Sequence, residues 1–235
     1  MKHKLKIDMK VFFSNRWHIG SGIGSPVVDR LTIKDPMRQP YIPGSTLKGV
    51  VRHVCEKLAQ ALKFETTDPH DETNIASFCS AEKTPYVVDR LFGSRFEGEK
   101  LFFRDAVIKE EFYPPSYTSV IARTCIDRVT GTAKEKALFN TEYIEKIPLS
   151  ATITGIHSQL TVENDSFPIE YSLLVAALKC CIAIGGDKST GKGALDIFIE
   201  NICYNGRDVS TDNALAVFKE EPEFADNYKL LRGEL

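Results

Sequence analysis

Residues 4–13 alternate apolar and polar side chains, with Leu5, Ile7, Met9, Val11 and Phe13 on one face and Lys6, Asp8 and Lys10 on the other. A period of two predicts a β-strand with one buried face. At Leu47 the period changes. Leu47, Val50, Val51, Val54, Cys55, Leu58 and Leu62 recur at helical spacing to about Lys63, leaving Lys48 and Arg52 together on another face. The helix is introduced by Tyr41-Ile42-Pro43-Gly44-Ser45-Thr46-Leu47-Lys48-Gly49-Val50. Pro43-Gly44 punctuates the chain and Ser45 is read as the N-cap. The unpaired N–H groups around Gly44, Ser45 and Thr46 favour an anion such as a phosphate. A capped helix of this kind usually turns its charges to water; the functional reading is a surface that faces RNA.

Between strand and helix, residues 14–45 hold Gly20, Gly22, Gly24, Pro26, Pro36, Pro40, Pro43 and Gly44. So long a connection is usually functional. Residues 64–90 are polar and read as an inserted lobe, after which Leu91-Phe92-Gly93 and Lys100 to Ile108 resume a strand pattern. Tyr113 to Ser150 reads as a second insertion, 151–162 as a strand, and Ile169 to Ile184 as a helix apolar nearly all round, hence one covered by sheet and insertions. A glycine-rich loop, Gly185 to Gly193, precedes a closing strand from Ala194 to Ile202. In order this is β-α-β-β-α-β, an α+β ferredoxin-like (RRM-like) core. The expected organisation is a single domain with insertions at about 14–45, 64–99 and 109–150 and an acidic C-terminal segment at about 204–235.

Gly186 and Gly191-Lys192 superficially resemble a nucleotide-binding P-loop, but here a helix precedes, a strand follows, and Gly193 stands where Ser or Thr is required. What remains is a glycine loop that lets the backbone approach RNA closely, with Lys188, Ser189 and Lys192 at the phosphates. The alternative is a plain helix-to-strand turn.

A chain of 235 residues, 43% hydrophobic, can bury a proper core, and no apolar run reaches the length of a membrane span. A cytoplasmic protein with no membrane partner is expected. Its six cysteines lack CxxC spacing and read as reduced core thiols. His70 and Cys79 are too little to argue for a structural zinc. The net charge of −2 does not suggest a general nucleic-acid binder. The sum conceals segregation, however: residues 208–226 carry Asp208, Asp212, Glu220, Glu221, Glu223 and Asp226 against Lys219 alone. Residues 30–57 are basic, with Arg30, Lys34, Arg38, Lys48, Arg52 and Lys57 against Asp35 and Glu56.

Taken together, the decapeptide from Tyr41, Leu91-Phe92-Gly93, Ile126-Asp127-Arg128-Val129-Thr130-Gly131-Thr132-Ala133 and the Gly185 to Gly193 loop resemble, in family order, the RAMP superfamily of CRISPR-associated proteins. The likeness is greatest to the repeated backbone subunit of type III effector complexes. It implies copies stacked along a guide RNA, gripping its backbone whatever the sequence, with a target RNA paired to the bases and other effector subunits as partners. The insertion around Ile126 to Ala133 would be the family's projecting thumb, which splays out nucleotides at regular intervals. Arg123, Arg128, Lys134 and Lys136 make it basic.

The resemblance further implies cleavage of the target by an aspartate ahead of the Ile-Pro-Gly motif, six residues before an Asp-Pro. Asp35-Pro36 is present and Asp29 precedes it by that interval. Asp29 is thus the expected catalytic residue, positioning Mg²⁺ or Mn²⁺ or taking the proton of a ribose 2′-hydroxyl. Family members commonly carry Ser-Pro directly after that aspartate; aligning on Ser25-Pro26 instead would put Gly24 in its place and imply a non-catalytic architectural subunit. The Asp-Pro register needs fewer inserted residues. A guide-processing endoribonuclease fits the thumb and Asp-Pro loop less well. His18 is a minor acid-base candidate, Asp105 and Asp127 read as structural, and Trp17 either stacks on a base or covers the core.

Overall fold

The computed structural model describes residues 2–64, 66, 86–93, 98–109, 117–158, 160–162 and 167–218. Strand β1 (His3–Phe13) follows the alternation residue by residue: Leu5, Ile7, Met9, Val11 and Phe13 are all buried. It is the centre of a five-stranded sheet, ordered β2-β5-β1-β6-β7, formed with β2 (Leu101–Phe103), β5 (Leu149–His157), β6 (Leu195–Tyr204) and β7 (Arg207–Asp208). Every neighbouring pair is antiparallel, and β5 lies between β1 and β2. This is the split β-α-β arrangement of a ferredoxin-like core.

Two helices are packed together, α1 (Gly44–Ala61) and α3 (Ile169–Cys180), and Leu47, Val51, Cys55 and Ala59 of α1 are fully buried with the apolar face of β1 in one core cluster. Between them in the chain comes the short α2 (Val87–Phe92), itself almost wholly buried. Helix α3 stops at Cys180, short of the expected Ile184, because Cys181 turns extended and Ala183 bridges Ala194. Strand β6 departs from strict alternation: Glu200 and Asn201 are both exposed and Ile202 is buried again. The register against β1 shifts between Asp8 and Met9, and that bulge returns the apolar residues beyond it to the core.

Helix α1 starts two residues earlier than its sequence suggests. Pro43, not Ser45, is the N-cap and no side chain of the helix caps it. Gly44 sits so close to Phe103 that a Cβ would collide with its carbonyl oxygen, which is the physical demand for glycine there. The Gly44 N–H donates to Asp105 Oδ1 at 2.7 Å, so a carboxylate from beyond β2 caps the helix. Asp105 is structural as expected, but through this amide.

The insertion before β5 is a separate two-stranded hairpin, β3 (Thr118–Ile126) and β4 (Ala133–Ile144). Its turn is closed by Asp127, whose Oδ1 accepts from the N–H groups of Val129 and Thr130. After β7, a short helix α4 (Thr211–Ala214) is capped by the Ser210 hydroxyl, which accepts from Asn213 N. The acidic residues Glu220, Glu221, Glu223 and Asp226 lie outside the described residues, as do His70 and Cys79. Among the described residues no helix is long and apolar enough to cross a membrane.

Candidate nucleic-acid interface

The connection between β1 and α1 lies along the free edge of β4. Trp17 and Ile144 exchange backbone hydrogen bonds of 3.0 and 2.8 Å. Farther along, the N–H groups of Asp29 and Arg30 both donate to Asn140 O, at 3.0 and 3.2 Å, and Glu142 N donates to Arg30 O at 2.9 Å. Strand β4 is therefore paired on both sides. Buried polar groups fasten the arrangement: Glu142 accepts from Thr32 N at 3.0 Å and pairs with Lys34. His18 joins the same network at 1% exposure, with Nδ1 2.8 Å from Glu142 O and 3.1 Å from Thr32 Oγ1. Burial holds its imidazole below the ordinary histidine value, against the opposing pull of that carbonyl. It is a core residue, not an accessible acid or base. Trp17 is core too, fully buried and stacked on Phe13.

This docking fixes Asp29. Its Oδ2 accepts from Asn140 N at 2.6 Å while the Asn140 amide donates to Val27 O at 2.9 Å, so backbone and side chain of one β4 residue hold the loop on both sides of Val28. Asp29 itself is exposed, and among the described residues its Oδ1 accepts no hydrogen bond. Gly24, the alternative position, is in the same bend: a Cβ there would stand 2.7 Å from Asp29 O. The two registers thus converge in space, and only Asp29 brings a carboxylate. No group of three His, Cys, Asp or Glu suited to a metal occurs among the described residues. Magnesium is commonly bound by one or two carboxylates plus substrate phosphates and water, and Asp29 fits that donor set as a single protein ligand.

The glycine-rich loop folds back on the same region. Gly185 packs where a Cβ would strike the His18 carbonyl, and Gly186 N donates to that oxygen at 2.8 Å. Asp187 is left-handed (φ 58°, ψ 26°) and heads a 3₁₀ turn, Lys188–Thr190, that carries Lys188 and Ser189 exposed. Its Oδ2 accepts from Tyr143 OH at 2.5 Å and from Arg30 Nη1 at 3.5 Å, and is ion-paired with Arg123 Nη1 at 3.3 Å. Burial alone would raise this carboxyl, but the hydroxyl and the two guanidinium groups outweigh it and hold it below the usual range. Conversely, burial and the Asp187 carboxylate push the Tyr143 phenol up to about 12. Arg123 and Lys192 both lie over the Tyr143 ring, 5.3 and 5.6 Å from its centre. A cationic surface of Arg30, Arg123 and Lys192 is thereby built at the base of the hairpin beside the loop of Asp29.

The other expected contacts lie elsewhere. Arg128 is exposed at the tip of the hairpin, next to Val129 at 94% exposure. On α1, Ser45 is exposed and Thr46 half-buried, but the Gly44 amide is already engaged by Asp105. Lys48 pairs with Glu99 at 3.0 Å. Arg52 is turned inward: it donates to Glu56 at 3.0 Å, Asp89 at 3.2 Å and Gly93 O at 3.3 Å, stapling α1 to α2. The structure therefore gathers Arg123 and Lys192 with the Asp29 loop and separates Arg52 from them. The sequence placed Arg30 only in a basic segment and did not single out Tyr143 or Asp187. Their available signals were slight: a base adjoining Asp29, an aromatic after the polar run Asn140-Thr141-Glu142, and an acid opening a basic loop.

Comparison with known proteins bears on this geometry. A model of the RAMP superfamily matches residues 13–196. A Streptococcus thermophilus protein, "CRISPR system Cms endoribonuclease Csm3", is 29% identical over 231 residues, covering 90% of this chain and 96% of that one. A chain of the solved structure "Type III-B Cmr-beta Cryo-EM structure of the Apo state" superposes with a TM-score of 0.57 at 13% identity, covering 83% of this chain and 97% of its own, a likeness of fold.

Proposed function

Because the chain belongs to the RAMP superfamily, we propose that it is a guide-RNA-binding backbone subunit of a type III CRISPR effector complex, and that it cleaves complementary target RNA at regular intervals through Asp29. Its partners are the guide RNA, the target RNA, further copies of itself and other subunits of the effector. The observation that carries this reading is the attachment of the Asp29 carboxylate to the hairpin strand through Asn140. A hairpin that unstacks the target would present the strained sugar-phosphate step to a carboxylate already fixed in place.

In the cleavage proposed, Asp29 takes the proton of the ribose 2′-hydroxyl, whose oxygen attacks the adjacent phosphorus as the bond to the 5′-oxygen breaks and that oxygen takes a proton from water. The products are a cyclic 2′,3′-phosphate and a 5′-hydroxyl. In its alternative role Asp29 would hold, with phosphate oxygens, a divalent ion such as Mg²⁺ or Mn²⁺, which would supply charge neutralisation at the phosphate. Arg123, Lys188, Ser189 and Lys192 grip backbone phosphates, with Arg128 reaching from the hairpin tip; base pairing supplies the specificity.

The test is cleavage of a complementary RNA by the assembled guide complex with Mg²⁺ or Mn²⁺, comparing wild type with Asp29→Ala at matched guide occupancy. Loss of the regularly spaced cuts with target binding intact is expected. Undiminished cutting by the variant would reject Asp29, and an inert wild-type assembly would favour a non-catalytic architectural subunit.

A further inference from the structure

We propose that Asp187 is a positioning residue of the RNA surface: its carboxylate aims the guanidinium groups of Arg30 and Arg123 at a backbone phosphate, so that an acidic side chain strengthens the binding of a polyanion. This rests on the RNA-binding reading above.

Three parts of the chain meet on one oxygen of Asp187. Arg30 comes from the loop that carries Asp29, Arg123 from β3 and Tyr143 from β4. Arg30 donates one N–H to Asp187 and Arg123 is ion-paired with it, so each guanidinium has several N–H groups to offer, and the two side chains remain 43% and 28% exposed. Lys192 shares the Tyr143 ring with Arg123. Two guanidinium groups on one carboxylate, with Lys192 over the adjoining Tyr143 ring, leave positive charge in excess, a surplus suited to phosphate. Without the carboxylate, the guanidinium groups repel one another and regain the rotamer freedom of long side chains.

The main chain of Asp187 also builds the loop. Its carbonyl accepts from Thr190 N at 3.0 Å, Thr190 Oγ1 at 2.9 Å and Lys192 N at 3.2 Å, closing the turn that carries Lys188 and Lys192. A left-handed backbone costs a residue with a Cβ about 1 kcal/mol or more, least for Asp and Asn, and the two residues before this position, Gly185 and Gly186, are glycines. A side chain is kept where glycine would fit the backbone better, and its carboxylate reaches the two arginines.

The sign of the effect separates positioning from bulk electrostatics. Asp187→Asn keeps the backbone preference and an oxygen for the Tyr143 hydroxyl, yet removes a negative charge from an RNA-binding surface. Coulomb repulsion alone predicts tighter binding; positioning predicts weaker binding. The full chain is titrated against single-stranded RNA by fluorescence anisotropy between about 50 and 200 mM salt, in wild type, Asp187→Asn, Arg30→Gln/Arg123→Gln, and the triple variant. Asp187→Asn is expected to weaken binding about tenfold, the scale of one charge-assisted hydrogen bond. It should also flatten the slope of log affinity against log salt by about 0.7 to 1.4, one or two phosphate contacts. In the Arg30→Gln/Arg123→Gln background it should weaken binding no further. Equal or tighter binding by Asp187→Asn overturns the proposal and leaves the RNA-binding reading standing. So does an equal loss in the background lacking both arginines, which would mark a general defect of the fold. No salt-dependent binding by wild type would overturn the RNA-binding reading, and this proposal with it.

Discussion

Arg52→Gln should destabilise the fold and leave RNA binding largely intact, against the expectation raised by its basic helix face. Asp89, its partner on α2, is 2% exposed, and the guanidinium that neutralises it also donates to Gly93 O at the end of that helix. Removing one member of a buried ion pair costs about 3–5 kcal/mol, because the surviving charge is left in a medium that solvates it poorly. Arg52 is itself one-fifth exposed, and its bond to Glu56 is an i,i+4 pair worth about 0.3–0.5 kcal/mol. Both facts place the loss near the lower end, about 3 kcal/mol. For a domain of this size that corresponds to a fall in melting temperature of about 6–12 °C. Urea and thermal unfolding measure it, and Asp89→Asn added to Arg52→Gln should recover part of the loss by removing the buried charge that Arg52 neutralised. A variant that melts like wild type but binds RNA with a reduced salt slope would refute the reasoning and return Arg52 to the phosphate contacts.

Two further outcomes follow from the Asp29 loop and its support. Gly24→Ala places a methyl 2.7 Å from the Asp29 carbonyl oxygen, so the bend must shift; target cleavage by the assembled complex should fall about tenfold while guide occupancy holds. Equal cutting rates would show that the bend yields without moving the carboxylate. For His18, the fold keeps the imidazole neutral, so the unfolded chain binds a proton that the native state refuses. Its contribution is complete above the ordinary value of 6.5 and is lost as pH falls below it. Urea unfolding on either side of that value should show stability declining toward acid, and His18→Gln should flatten the decline.

What could be read from the chain was what adjacent residues decide. The alternation of β1 and the helical spacing after Leu47 each reflect a single buried face, and both elements formed with those faces inward. Partnerships between distant residues left no such trace. Nothing local marks Asp105 as the cap of Gly44, 61 positions away, or Asp89 as the partner of Arg52, 37 positions away. The basic helix face looked free because two of its three acids, Asp89 and Glu99, come from another part of the chain. The same holds at the candidate site, where Arg30 and Asp187 stand 157 positions apart. The shift of register in β6 was hidden as well, since a bulge satisfies the core without a break in composition.

Strand β4 is bonded along both edges, to β3 on one side and to the chain around Trp17 and Arg30 on the other, and Asp29 is fastened to it at Asn140. The carboxylate therefore travels with the hairpin. In an assembly of the kind proposed, tilting or stretching one copy relative to the next would change the interval between successive hairpins, while the offset from each hairpin to its own cutting point stayed the same. The period of the products would then report the mechanical pitch of the filament, and their phase would be a constant of the single chain.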